Sequence, residues 1–147
     1  MVEHVPVEAL QAQLQAYLNC TELCRALHRQ TDDPYVKEAL EPLIEGLQAS
    51  LATLAGRVRH LGYPPGGYEA DRQGMAVIRN ALATRSLREQ LLAVRRCLAA
   101  LVAWYDSHLA PTQAVPDWLI SLSEEAHTLL RAWDQHMYEM KASGPPE

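Results

Sequence analysis

Apolar residues recur every three to four positions through most of the chain, and no run alternates between apolar and polar as a half-buried strand would. The pattern predicts helices alone. In the first segment Leu10, Leu14, Tyr17, Cys20, Thr21, Cys24 and His28 share one side of a helix at roughly 100° per residue. That helix is expected from about Pro6, a residue suited to a first turn, to about Gln30. A second is expected over 34–61. Asp33 offers a capping carboxylate, Pro34 fills the first turn, and Leu40, Leu43, Leu47, Leu51, Leu54, Val58 and Leu61 form the stripe. Gly62 suits its C-terminus, and the Pro-Pro-Gly-Gly run after Tyr63 enforces a loop.

A shorter helix is expected over 69–83. Ser86 and Glu89 then match a capping box that opens the third long helix, 86–109, which ends before Pro111. Its stripe is Leu87, Leu91, Val94, Leu98, Leu101, Val102, Tyr105 and Leu109. The fourth long helix, 116–141, turns Leu119, Leu122, Ala126, Leu129, Trp133 and Met137 inward and leaves Ser-Gly-Pro-Pro-Glu as a tail. Four long amphipathic helices on short to medium connections predict one all-α domain over 1–147. The expected form is an antiparallel four-helix bundle with a short extra helix before the third long one. The third long helix carries a second apolar stripe, Ala93, Cys97, Ala100 and Trp104, that one bundle face cannot also bury. It packs either on the short helix or on a second copy of the chain in a homodimer.

Composition narrows the function classes. A chain of 147 residues, 48% hydrophobic and 21% charged, suits a single globular domain. Its net charge of -5 argues against a nucleic-acid partner, and Arg57, Arg59, Arg85, Arg88, Arg95 and Arg96 read as solvated helix faces. The longest apolar run, "CLAALVAWY", is far short of the ~20 residues a membrane span needs. "MVEHVPVEAL" has no basic region ahead of an apolar core, so neither signal peptide nor membrane partner is expected. Three cysteines, with Cys20 and Cys24 one turn apart, do not make a disulfide framework, and a cytoplasmic location is expected.

Candidate chemistry is sparse. Cys20, Cys24 and His28 lie along the inward stripe, and two thiols with an imidazole could hold a soft ion such as zinc or copper. Positions i and i+8 stand about 12 Å apart, so a second helix would have to supply a ligand. The competing reading makes both cysteines small core hydrophobes and His28 a helix-end residue. His60 and His108 also sit at helix ends, where a cation complements the helix dipole. Asp106 with His108 lacks a companion nucleophile, and "PPGGYE" lacks the strand and lysine of a phosphate loop. Glu124 and His127 spell Glu-x-x-His, the spacing that presents a carboxylate and an imidazole to a di-iron centre. From the stripe of the fourth long helix, however, Glu124 points roughly opposite and His127 about 110° away.

The order and separation of "LAGRVRHLGYPPGG", "RQGMAVIRNALATRS", "CLAALVAWYDSHLA" and "PDWLISLSEEAHTLLRAW" resemble the ferritin-like superfamily. The likeness is nearest to small bacterial ferritin-like domains related to the rubrerythrin type, and it covers roughly residues 6 to 136. It implies a ferritin-like bundle. In metal-binding members it also implies inward carboxylates on all four long helices, with a His three residues after the Glu on the second and fourth, holding two irons for oxygen chemistry. This chain departs from that pattern. The second-helix pair falls at Leu47 and Ser50, the turns of the third helix just before Tyr105, "LAALVAWY", hold no acid, and Glu22 lies about 150° from the apolar stripe of the first. The expectation is a ferritin-like bundle without di-iron ligands and without a cofactor, acting as a non-enzymatic binding or assembly module. The alternative is a metal protein, holding iron or using the soft-ion site at Cys20, Cys24 and His28.

Overall fold

The computed structural model describes residues 5–63, 70–84, 86–109 and 115–143, of which 141–143 by backbone alone. Among the described residues there are five helices and no strand: α1 (Val7–Gln30), α2 (Pro34–His60), α3 (Arg72–Ala83), α4 (Leu87–His108) and α5 (Asp117–Ser143). The chain is all-α, as its periodicity predicts. The loop at 64–67, Arg85, Pro111 and residues 144–147 of the expected tail lie outside the described residues, while Ser143, expected to open that tail, is the last residue of α5.

Helix ends follow from local chemistry. Asp33 caps α2, its Oδ1 accepting from the N–H groups of Tyr35 (2.9 Å) and Val36 (3.3 Å). At the other end Gly62 takes φ +90°, the left-handed conformation that a side chain resists. Its N–H donates to Arg59 O at 2.9 Å while Tyr63 N–H reaches Val58 O at 3.3 Å, the paired bonds of a left-handed helix stop. Leu61, expected inside, lies past the last helical residue and is 53% exposed. α3 starts later than expected because Asp71 caps it, accepting from Gly74 N–H at 2.8 Å. Ser86 caps α4 through Glu89 N–H at 3.2 Å, as expected. The return bond differs: Ser86 N–H donates to Thr84 Oγ1 at 3.2 Å, and the Glu89 carboxylate lies 3.7 Å from Arg96.

The four long helices close a ring in which α1 packs on α2, α2 on α5, α5 on α4 and α4 on α1, while α3 lies against α1 and α4. Touched by three helices, α1 buries more than one stripe. Gln13, Leu18, Leu23, Ala26 and Leu27 are inside in addition to the expected set. Leu51, Leu87, Leu109, Met137 and His28, expected to be buried, are only partly covered. The other expected core positions of α4 and α5 are buried.

Close approaches lock this arrangement. A Cβ on Gly74 would overlap the Asn19 side chain, so any larger residue there would have to displace Asn19 for α3 to seat on α1 as it does. Asn19 and Asp71 join the same two helices by reciprocal bonds, Asn19 Nδ2 to Asp71 Oδ1 and Asp71 N–H to Asn19 Oδ1, both 3.1 Å. On α5 the buried Trp133 donates its indole N–H to Leu91 O on α4 at 3.2 Å. Among the described residues no helix is long and apolar enough to cross a membrane.

Candidate functional site

Inside the ring the polar groups gather in one layer. Tyr17 on α1 and Tyr105 on α4 are both fully buried, and their hydroxyls meet at 2.8 Å. Gln13, one turn before Tyr17, donates from Nε2 to Leu101 O at 3.0 Å. Ser50 of α2 is buried beside Tyr17, and Thr21 Oγ1 donates to the Tyr17 carbonyl at 2.7 Å. Burial pushes the Tyr17 hydroxyl far above the ordinary tyrosine range, and the neighbouring Tyr105 pushes it further. Tyr105 is raised as well, chiefly by burial. Both phenols are therefore held neutral, as hydrogen-bonding groups and not as bases. Both tyrosines lie on expected stripes. Gln13 was not among the expected core residues, although it stands four positions before Tyr17 and so in phase with it.

The positions that the di-iron pattern would occupy are packed. Leu47, Ser50, Leu101, Leu122 and Ala126 are all buried. Glu124 is exposed. His127 faces α4 at the surface, its Nδ1–H donating to Ser123 O (2.8 Å) and its Nε2 3.2 Å from Asp106 Oδ1. Asp106 thus pairs across helices with His127 and not with His108. The latter donates Nδ1–H to Trp104 O at 2.8 Å and stacks on the Trp104 ring. Glu22 pairs with Arg25 on its own helix at 2.8 Å.

The thiols are arranged differently from the sequence expectation. Cys20 and Cys24 are fully buried, but His28 leaves them and places its Nε2 3.3 Å from Glu41 Oε2 on α2. Cys97 of α4 is the neighbour instead: with Cys24 and burial it sets the Cys20 thiol, which is pushed well above the ordinary range, and Cys20 together with burial pushes the Cys97 thiol up as well. All three cysteines are free. The second stripe of α4 is accordingly divided: Ala93 is buried and Cys97 is turned to α1, while Ala100 is exposed and Trp104 partly so. The signal for Cys97 was its place on a second apolar face, which does not say which neighbour that face meets. Among the described residues no three His, Cys, Asp or Glu side chains stand as a ready ligand set for a metal ion.

A small groove lies between α2 and α5, lined by Ala39, Pro42, Leu129, Trp133 and His136, with a volume near 70 Å³. The His136 Nδ1 is buried there without a hydrogen-bond partner. Small-molecule sites commonly run from about 300 Å³ upward, so this groove has room for solvent and not for an organic substrate. No family model, curated protein or solved structure matches the chain.

Proposed function

We propose that the chain is a non-enzymatic helical bundle of the ferritin-like kind whose di-iron ligands have been replaced, serving in the cytoplasm as a binding or assembly module. The supporting observation is the buried layer itself. Tyr17 and Tyr105 satisfy one another's hydroxyls, Gln13 is bonded to the Leu101 carbonyl, Ser50 is buried, and leucines and Ala126 occupy the positions where carboxylates would be required. An oxygen-rich iron site cannot be assembled from these groups. Elemental analysis of protein purified from metal-supplemented culture tests the reading: iron and manganese near zero are expected, and two metals per chain would overturn it.

Assembly is assigned to a homodimer that uses the outer face of α4. Ala100 and Trp104 remain available on that face after Ala93 and Cys97 have been covered within the chain. Sedimentation equilibrium at micromolar concentration should show a dimer for the native chain and a monomer for Trp104→Glu. A native monomer would remove this part of the proposal.

A further inference from the structure

We propose that the groove between α2 and α5 is a binding site for one ordered water molecule, which donates one O–H to His136 Nδ1 and the other to the Glu38 carbonyl. The inference is independent of the non-enzymatic reading above, which concerns oxygen-ligated iron. Its basis is a pair of acceptors left over at one place by two different causes. His136 lines the groove, and its Nδ1 is buried with no hydrogen-bond partner among the described residues. Pro42 lies inside α2 and lines the same groove. A proline has no N–H, so the Glu38 carbonyl one turn earlier lacks its helical donor.

His136 differs in this from two other histidines. His108 and His127 each turn Nδ1 back to the carbonyl four residues earlier, Trp104 O and Ser123 O, at 2.8 Å. The Nδ1 of His136 makes no such bond to Ala132 O. Its ring is held by packing: Tyr35 meets it edge-on, with centroids 6.2 Å apart and planes at 79°, and the Tyr35 hydroxyl is fixed to Glu139 at 2.8 Å. The acceptor is therefore set in place before any ligand arrives.

The chemistry selects the occupant. Buried polar groups are paired with protein or with ordered water, and the lining offers no donor. Ala39, Leu43 and Leu129 are aliphatic, and the Trp133 indole N–H is already given to Leu91 O. The occupant must bring two donors and little bulk. A volume near 70 Å³ holds about two waters at roughly 30 Å³ each, and water is the smallest molecule with two O–H donors. Pro42 and Ala132 are exposed, so the site exchanges with solvent and its water can take a third bond there. Accepting at Nδ1 fixes neutral His136 in the tautomer with its hydrogen on Nε2, whereas His108 and His127 carry theirs on Nδ1.

The test is solution NMR of the ¹⁵N-labelled native chain at mildly alkaline pH. Long-range ¹H–¹⁵N spectra should place the His136 hydrogen on Nε2, opposite to His108 and His127. Paired NOESY and ROESY spectra should show cross-peaks from water to the Ala39 and Ala132 methyl groups with the sign of a long-lived bound molecule. Neither readout needs a variant. Pro42→Ala gives the Glu38 carbonyl its helical donor and replaces a poor helix former with a good one. His136→Phe keeps a ring against Tyr35 and removes the acceptor. Each variant, with its helix content checked by circular dichroism, should lose the long-lived water cross-peaks. A hydrogen on His136 Nδ1, water cross-peaks of fast-exchanging sign in the native chain, or long-lived cross-peaks that persist in either folded variant would each overturn the proposal.

Discussion

Removing one hydroxyl from the buried layer tests the central packing argument. In Tyr17→Phe the ring still fills its place, but Tyr105 loses the partner at 2.8 Å. A buried polar group deprived of its partner costs about 1–3 kcal/mol. In a chain of this size each kcal/mol moves the thermal midpoint by about 2–4 °C, so a fall of roughly 5 °C is expected. In Tyr17→Phe/Tyr105→Phe both partners of the central bond are gone, and the loss should be smaller than the sum of the single losses by at least ~0.5 kcal/mol. The same layer sets an alkaline limit. An unfolded tyrosine ionises near 10.0, whereas the folded Tyr17 hydroxyl is held neutral well above that and the Tyr105 hydroxyl is raised as well. Above that pH the unfolded chain binds fewer protons than the folded one. The stabilisation is therefore complete below the unfolded value and declines as pH rises past it, by about 1.4 kcal/mol per pH unit for each buried tyrosine. Urea melts followed by helix circular dichroism, at neutral pH and in steps above the ordinary tyrosine value, read both effects. Tyr17→Phe should lower the neutral midpoint and roughly halve the alkaline slope. A variant that melts like the native chain, with the same slope, would refute the reasoning.

Four further outcomes are expected. Gly74→Ala should destabilise by about 1–3 kcal/mol in urea melts, because its Cβ overlaps Asn19 where that residue is bonded to Asp71. Gly56→Ala, with open space around the added methyl on the exposed side of α2, should stabilise by about 0.4–1 kcal/mol in the same assay. Asp33→Ala removes the two cap bonds of α2 and should cost about 0.5–2 kcal/mol, with hydrogen exchange rising first at Tyr35 and Val36. At the surface Tyr35 donates to Glu139 Oε2 at 2.8 Å, and Glu139 is held below the ordinary glutamate value of 4.5, first by Gln135 and then by Tyr35. That contribution is present above 4.5 and is lost as pH falls through the lowered folded value. Tyr35→Phe should therefore raise the Glu139 titration seen by NMR without returning it fully, since Gln135 remains.

Much of the fold was legible in one dimension. Asp33 with Pro34, Gly62, and Ser86 marked helix ends that the backbone realises, because a cap is a bond between residues two or three apart. The inward stripe of α5 was equally legible, since burial of Leu119, Leu122, Ala126 and Leu129 follows from helical phase alone. The same phase argument turned Glu124 toward solvent, where it stands.

Neighbour relations between helices were not legible, because periodicity tells which face is apolar and not what that face meets. Tyr17 and Tyr105 lie 88 positions apart, and their bond depends on the register in which α1 and α4 pack. The same register brings Cys97 to Cys20 and takes it out of the outer stripe, while the neighbouring α2 draws His28 away to Glu41. Gly74, a weak helix former by propensity, gains its meaning only where Asn19 leaves no room for a methyl group. By itself the sequence determined the helices, their caps and their apolar faces, since hydrogen bonds and periodicity within a helix are local. The tertiary structure decided which buried polar groups and thiols meet, since that depends on how side chains from distant segments interlock.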